Sequence, residues 1–133
     1  MLQVFSFSGY SMYPAIRSGD ILITREAPAR SVRPGDVVCL PRGRAYLAHR
    51  VISVKKDASR ATLITKGDNM ITRDPPFTCE QDSVLVVTHA RRRGRPPKKL
   101  RLGRLRAFLS ARNLTFGILK AKAGAIARRF VNA

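Results

Sequence analysis

The sequence predicts a mainly β domain, compact and followed by a basic, partly helical C-terminal tail. Three observations carry this. From Val4 to about Val87, short runs rich in β-branched residues alternate with Gly, Pro and Asp, and no 3.6-residue period persists. The charge is divided just as sharply: Met1 to Val87 holds 12 basic and 8 acidic residues, whereas Thr88 to Ala133 holds 14 basic and none acidic. Beyond Arg91–Lys99 the apolar spacing changes to a helical one. A domain at 1–88 and a tail at 89–133 follow from this division.

Each element has its own signal. Asp20-Ile-Leu-Ile-Thr24 and Asp36-Val-Val-Cys-Leu40 read as strands, each entered through a Gly-Asp turn at Gly19-Asp20 and Gly35-Asp36. Tyr46–Val54 and Ala61–Lys66 read as a strand pair joined by the polar stretch Lys55–Arg60. Ser83–Thr88 is the last strand of the domain. Arg91-Arg-Arg-Gly-Arg-Pro-Pro-Lys-Lys99 reads as a linker or extended arm, because two prolines and six cations cannot form a core. In the tail, Leu105, Phe108 and Leu109, then Leu119, Ile126 and Phe130, fall near helical spacing. Asn113 and Gly117 are expected to divide it into two short helices.

The two cysteines, Cys39 and Cys79, lie far apart with no CxxC spacing and no surrounding His. They read as small buried hydrophobes, with pairing between them left open and no metal site expected. No run approaches the ~18 apolar residues that a membrane span requires. The opening Met-Leu-Gln-Val-Phe-Ser has no basic region and too short an apolar stretch for a signal peptide. The expectation is a cytoplasmic protein, with peripheral contact at a membrane surface.

The window Ser8-Gly-Tyr-Ser-Met-Tyr-Pro-Ala-Ile carries the chemistry. Gly9 permits a sharp turn and Pro14 stiffens the exit, so Ser11 can be presented at a fixed angle beside a backbone N–H. A nucleophile with an oxyanion donor needs that arrangement. A serine also needs a base, and there are two histidines. His49 sits in an apolar β-type run, whereas His89 borders the polycation, which disfavours an imidazolium. His49 is the better base. Asp68 and Asp74 are the two carboxylates that could orient it and stabilise the imidazolium.

Four blocks, in order, resemble the boxes of the type I signal peptidase family of serine proteases. Gly9-Tyr-Ser-Met-Tyr-Pro-Ala-Ile with Gly19-Asp20 resembles the nucleophile box, and Arg33-Pro-Gly-Asp-Val-Val38 the strand after it. His49-Arg-Val-Ile52 resembles the general-base box, and Lys66-Gly-Asp-Asn69 with Asp74 the last box. Most bacterial members carry lysine at the base position. Histidine there is a feature of the endoplasmic-reticulum and archaeal branch, which this chain resembles.

The resemblance implies a compact signal-peptidase-like β-domain acting as a serine endopeptidase without a cofactor. It implies Ser11 as nucleophile, His49 as base and Asp74 as orienting acid, with Asp68 in support and either acid able to exchange roles. Gly9, Met12 and Pro14 shape the nucleophile turn. Lys66 lies in the wrong block to serve as base. The implied substrate is a precursor peptide or preprotein with small residues before the cut. Two departures stand out: Gly9 replaces the hydroxyl residue common two places before the nucleophile, and the family's N-terminal membrane helix is not seen. The oxyanion site would then rest on the Ser11 N–H and a second donor not identified in the sequence.

For residues 91–130 the favoured partner is an anionic membrane, since a basic amphipathic helix lies naturally at such an interface. Nucleic acid is the weaker alternative, carried only by Arg93-Gly-Arg-Pro-Pro, which resembles the minor-groove-binding core of AT-hooks. The competing function is a degenerate peptidase domain that serves as a basic binding module.

Overall fold

A computed structural model describes residues 2–79, 83–100 and 102–131. The protein is mainly β: a curled antiparallel sheet is followed by two short helices. Its strands are β1 (Leu2–Ser6), β2 (Ile21–Pro28), β3 (Val37–Arg42), β4 (Ala45–Lys56), β5 (Ala61–Lys66), β6 (Phe77–Cys79), β7 (Ser83–Arg91) and β8 (Lys98–Lys99). The helices are α1 (Arg104–Ala111) and α2 (Phe116–Val131). Neighbours in the sheet run β1-β2-β7-β3-β4-β5-β6, and β8 pairs with the far end of β7.

The strands are entered by one turn used twice. In Arg17-Ser-Gly-Asp20 and Arg33-Pro-Gly-Asp36, the Asp N–H donates to the Arg carbonyl at 3.0 and 3.1 Å. Gly19 and Gly35 occupy the third position with φ of 91° and 98°, which favours glycine over any residue with a side chain. Each aspartate then accepts from the arginine N–H through Oδ2, at 2.8 and 2.9 Å.

Both faces of the central strands are buried. Along β3, Val38 and Leu40 join a cluster with Val51, Leu63 and Val86, while Val37 and Cys39 join one with Leu22, Ala48 and Val87. Alternation with period two sends successive side chains to opposite faces, so one strand serves two cores. The first core also holds Ala27, Ala61 and Cys79. The second is closed by residues outside the central sheet: Phe7, Met12 and Ile16 around the serine loop, and Leu100 after β8.

The basic segment is folded onto the domain rather than extended from it. β7 continues through His89 and Ala90 to Arg91, pairing Ile23, Leu22 and Ile21 of β2. The strand therefore crosses the expected boundary at 88/89. Arg92–Pro97 makes a turn, and β8 returns to pair Lys99 with His89 and Lys98 with Ala90. The cations of Arg91–Lys99 tolerate this because their side chains stay at the surface while the backbone hydrogen-bonds. Ala107 and Ser110 of α1 and Ile118 of α2 are buried. Gly103, at the head of α1, packs directly against the Gly35 backbone.

The two helices fall on either side of Asn113, which adopts φ 56° and ends the first. Gly117 does not break the chain, because it lies in the first turn of α2. Leu105, Phe108 and Leu119 point outward instead of sealing a core, at 67%, 52% and 46% exposure. The side chains of Ile126 and Phe130 lie outside the described residues. Among the described residues no helix is long and apolar enough to cross a membrane.

Two expectations follow. Cys39 and Cys79 are free, buried and in different cores. Burial pushes the Cys39 thiol from 9.0 up to about 11 and raises Cys79 as well, so the neutral form is favoured in the folded state. Folded protein at pH 8 should take up little iodoacetamide, and both thiols should react in denaturant. The thiol contribution to stability is full below pH 9 and is lost as pH rises towards 11. Fast labelling of the native protein would refute this burial. Truncation after Thr88 should abolish cooperative thermal unfolding, because it removes Ala90 and Leu100 from the second core and the end of the β2–β7 ladder. One buried Leu is worth about 1.5–3 kcal/mol against a total near 5–15 kcal/mol. A sharp, unshifted melt by circular dichroism would contradict this.

Candidate active site around Ser11 and His49

The serine loop is pinned at its base and anchored at its middle. Phe7 N–H donates to the Asp20 carbonyl at 2.9 Å, and Gly19 N–H to the Phe7 carbonyl at 2.8 Å. Between these points Met12 and Ile16 are fully buried, and Ile16 N–H closes a turn on the Met12 carbonyl at 3.0 Å. Gly9 takes φ 99°, and its N–H donates to Ser18 Oγ at 3.2 Å. Pro14 follows a cis peptide bond. Ser11 stands half-buried at the crest of this loop. Its carbonyl accepts from Asn69 N–H at 2.8 Å, and Asn69 Nδ2 donates to the Tyr10 carbonyl at 3.1 Å. Among the described residues, the Ser11 N–H donates to no acceptor within the chain.

His49 and Arg50 are adjacent on β4, so their side chains leave opposite faces. The ladder shows which face is which. His49 lies opposite Val38, a residue of the first core, and Arg50 lies opposite Val37, a residue of the second. Each finds a different carboxylate. His49 Nδ1 meets Asp74 Oδ2 at 2.5 Å, and Thr65 Oγ1 donates to the same oxygen at 2.7 Å. Arg50 Nε and Nη2 donate to Asp68 Oδ1 and Oδ2 at 2.8 and 2.9 Å, while Nη1 donates to the Gly35 carbonyl at 2.8 Å. The structure thus brings Asp74, and not Asp68, to the imidazole. Asp68 holds the arginine beside it.

A carboxylate only accepts, so Nδ1 of His49 donates this bond and carries a proton, which in the neutral ring leaves the lone pair on Nε2. That Nε2 is buried with no hydrogen-bond partner among the described residues. It faces the serine loop across Gly67. A methyl group placed on Gly67 would lie 3.1 Å from His49 Nε2 and 2.7 Å from the Ser11 carbonyl oxygen, so both flank one point. Glycine is required there because any side chain would fill the gap between them. Among the described residues the Ser11 hydroxyl makes no hydrogen bond to Nε2.

Lys66 is fully buried opposite Arg50 in the ladder, on the face that His49 does not use. Its Nζ donates to the Gly67 carbonyl at 3.0 Å. Burial pulls its pKa below the ordinary lysine value, helped by Arg73 and opposed by Asp68 and Asp74. Sequence reasoning gave this lysine no role, and its desolvation could not be seen without the fold. Neither could Thr65, whose hydroxyl holds the Asp74 carboxylate. His89 lies away from this constellation, with Nδ1 3.0 Å from Thr88 Oγ1. Among the described residues no three His, Cys, Asp or Glu side chains gather as a metal site.

Compared with protein-family models, curated proteins and solved structures, the chain matches none.

The two carboxylates should fail in different ways. Asp68→Asn removes the carboxylate charge that faces the buried Arg50 guanidinium and should cost about 3–5 kcal/mol in denaturant unfolding. Asp74→Asn should cost less, because His49 can remain neutral. Equal losses for the two variants would contradict the division between a structural and a site carboxylate.

Proposed function

We propose that this chain is a serine endopeptidase working through Ser11, His49 and Asp74. One observation carries the reading: a buried imidazole held by a carboxylate at Nδ1, with its unpartnered Nε2 turned towards the serine loop. On this reading Ser11 Oγ passes its proton to Nε2 as it attacks a peptide carbonyl. Asp74 keeps the ring in the right tautomer and stabilises the imidazolium that forms. The Ser11 N–H, free of any internal acceptor, is available to the developing oxyanion. His49 then returns the proton to the leaving amine, and a water deprotonated at the same nitrogen releases the acyl group. The pinned loop supports this by fixing where the hydroxyl can stand. The four-box resemblance to type I signal peptidases gives the substrate class, a precursor peptide or preprotein cut after small residues.

The helices support peripheral contact with an anionic membrane. Leu102, Leu105, Phe108, Leu114 and Leu119 are exposed, and Arg104, Arg112, Lys120 and Lys122 stand among them at the surface. Arg112 lies over the Phe108 ring at 5.6 Å from its centroid. Such a surface offers apolar area and positive charge together, as interfacial segments do. A membrane-held peptidase would meet its precursors at that surface.

Labelling by a fluorophosphonate probe, paired with a peptide-cleavage assay, tests the peptidase reading. Wild type should label and cleave. Ser11→Ala and His49→Ala should lose both activities, and Asp74→Asn should lose on the order of 10³-fold or more in turnover while remaining folded. A folded wild type that neither labels nor cleaves would overturn the reading and leave the basic surface as the functional part.

A further inference from the structure

A second feature lies on the opposite side of β4 from His49. A cleft of about 630 Å³ opens where the serine loop, the β7–β8 hairpin and α1 converge. Pro14 and Ala15 form one wall, and Leu109, Leu114 and Thr115 form another. Two carboxylates line it, and both are already satisfied. Asp68 is gripped on both oxygens by Arg50. Asp20 is buried, accepting from Arg92 Nε at 3.2 Å and from the Arg17 backbone N–H at 2.8 Å.

Four further cations face the same cleft, Arg17, Arg95, Lys98 and Arg106, and Lys99 stands at its rim. None of them has a carboxylate partner among the described residues. Like charges gathered around one concavity repel one another, and the low-dielectric walls strengthen the field inside it. The fold nonetheless assembles them. β8 exists only as two lysines: Lys98 pairs with Ala90, itself a lining residue, so its side chain lies on the cleft side, while Lys99 leaves the opposite face beside His89. Arginine forks and lysine ammonium groups together suit phosphoryl oxygens, each of which can take several donors.

We propose that this cleft is a binding site for an anion carrying two or more phosphoryl groups, either a small soluble polyphosphate or a phosphorylated lipid headgroup. The phosphoryl groups sit between Lys98 of β8, Arg95 of the hairpin turn and Arg106 of α1, with Arg17 closing from the serine loop. Occupancy ties the tail to the serine loop, because those elements supply opposite walls. The site stands independently of whether Ser11 is a nucleophile.

The test uses the full chain and inorganic tripolyphosphate, titrated by calorimetry at fixed ionic strength. One saturable site is expected, and the melting temperature should rise by about 10 °C at a hundredfold excess over Kd. Lys98→Gln/Arg106→Gln should weaken binding at least tenfold, and Arg95→Gln alone should weaken it severalfold. Lys55→Gln/Lys56→Gln removes the same charge from an exposed strand end elsewhere and should change Kd by less than twofold. Equal weakening by the two double variants, or no saturable site, would overturn the proposal by reducing it to general attraction to a polycation. Vesicles containing an inositol lipid phosphorylated on its ring, with phosphatidylglycerol vesicles as the single-phosphate control, then distinguish the sources. Displacement of tripolyphosphate by the inositol lipid alone identifies a headgroup, undisturbed tripolyphosphate binding identifies a soluble anion, and equal displacement by both lipids overturns the proposal as general anionic attraction.

Discussion

The structure depends on how Asp68 is held. Its two side-chain oxygens take the fork of Arg50, which is itself buried and donates onward to the Gly35 carbonyl. Its backbone N–H reaches Met12 Sδ at 3.4 Å, and its carbonyl accepts from Thr115 Oγ1. One residue therefore touches β4, the serine loop and the connection between the helices. A buried charge pair of this kind adds little net stability over apolar packing, but breaking it is costly. Its effect is to specify: with Arg50 paired, the loop after β5 has one place to lie. Asn69, next in the chain, is then brought against Ser11 and Tyr10.

From that placement the site geometry follows. Adjacent residues on a strand cannot share one partner across the sheet, so His49 and Arg50 draw carboxylates from opposite sides. The short loop after Lys66 supplies both. Asp68 turns to the arginine face, and Asp74, whose N–H donates to the Thr65 carbonyl at 2.8 Å, is carried back to the histidine face. The five residues between them carry the chain from one face of β5 to the other. Thr65 then fixes the carboxylate by its hydroxyl, so the acid and the imidazole are both positioned by the same pair of strands.

Much of the sheet was legible in the sequence because its signals are local. The runs read from Asp20 and Asp36 become strands one residue later, at Ile21 and Val37 behind their Gly-Asp turns, and Tyr46–Val54, Ala61–Lys66 and Ser83–Thr88 all lie in strands. What was not legible depends on contacts distant in sequence. β6 is three residues behind Pro75-Pro76, and β8 is two lysines in a segment whose composition argues for an unstructured arm. Each is held by its neighbour's backbone, which composition does not report. The choice between Asp68 and Asp74 was open for the same reason. It is decided by which face of β4 each residue faces, and a one-dimensional spacing contains no faces. The tail shows a further limit. Helical spacing located two helices, but their burial falls on Ala107, Ser110 and Ile118 instead of the larger leucines.

That inversion bears on what the tail is for. A helix that buries alanine and serine while exposing Leu105 and Phe108 lies close to its sheet and keeps its larger apolar groups for something else. The same segment carries cations without a single acid, and part of that charge is folded around a cleft whose own carboxylates are spoken for. Charge that served only solubility would be expected to spread over the surface, because concentrating it opposes folding. Here the cost of concentration is borne by the elements that also seal the second core, through Leu100 and Ala90. The serine loop inserts Met12 and Ile16 into that core as well. Anything that neutralises the cleft would therefore relieve repulsion against the very packing that holds Ser11 in place. Tail and site are coupled through one shared core, and the chemistry of the cleft is the natural place for that coupling to be adjusted.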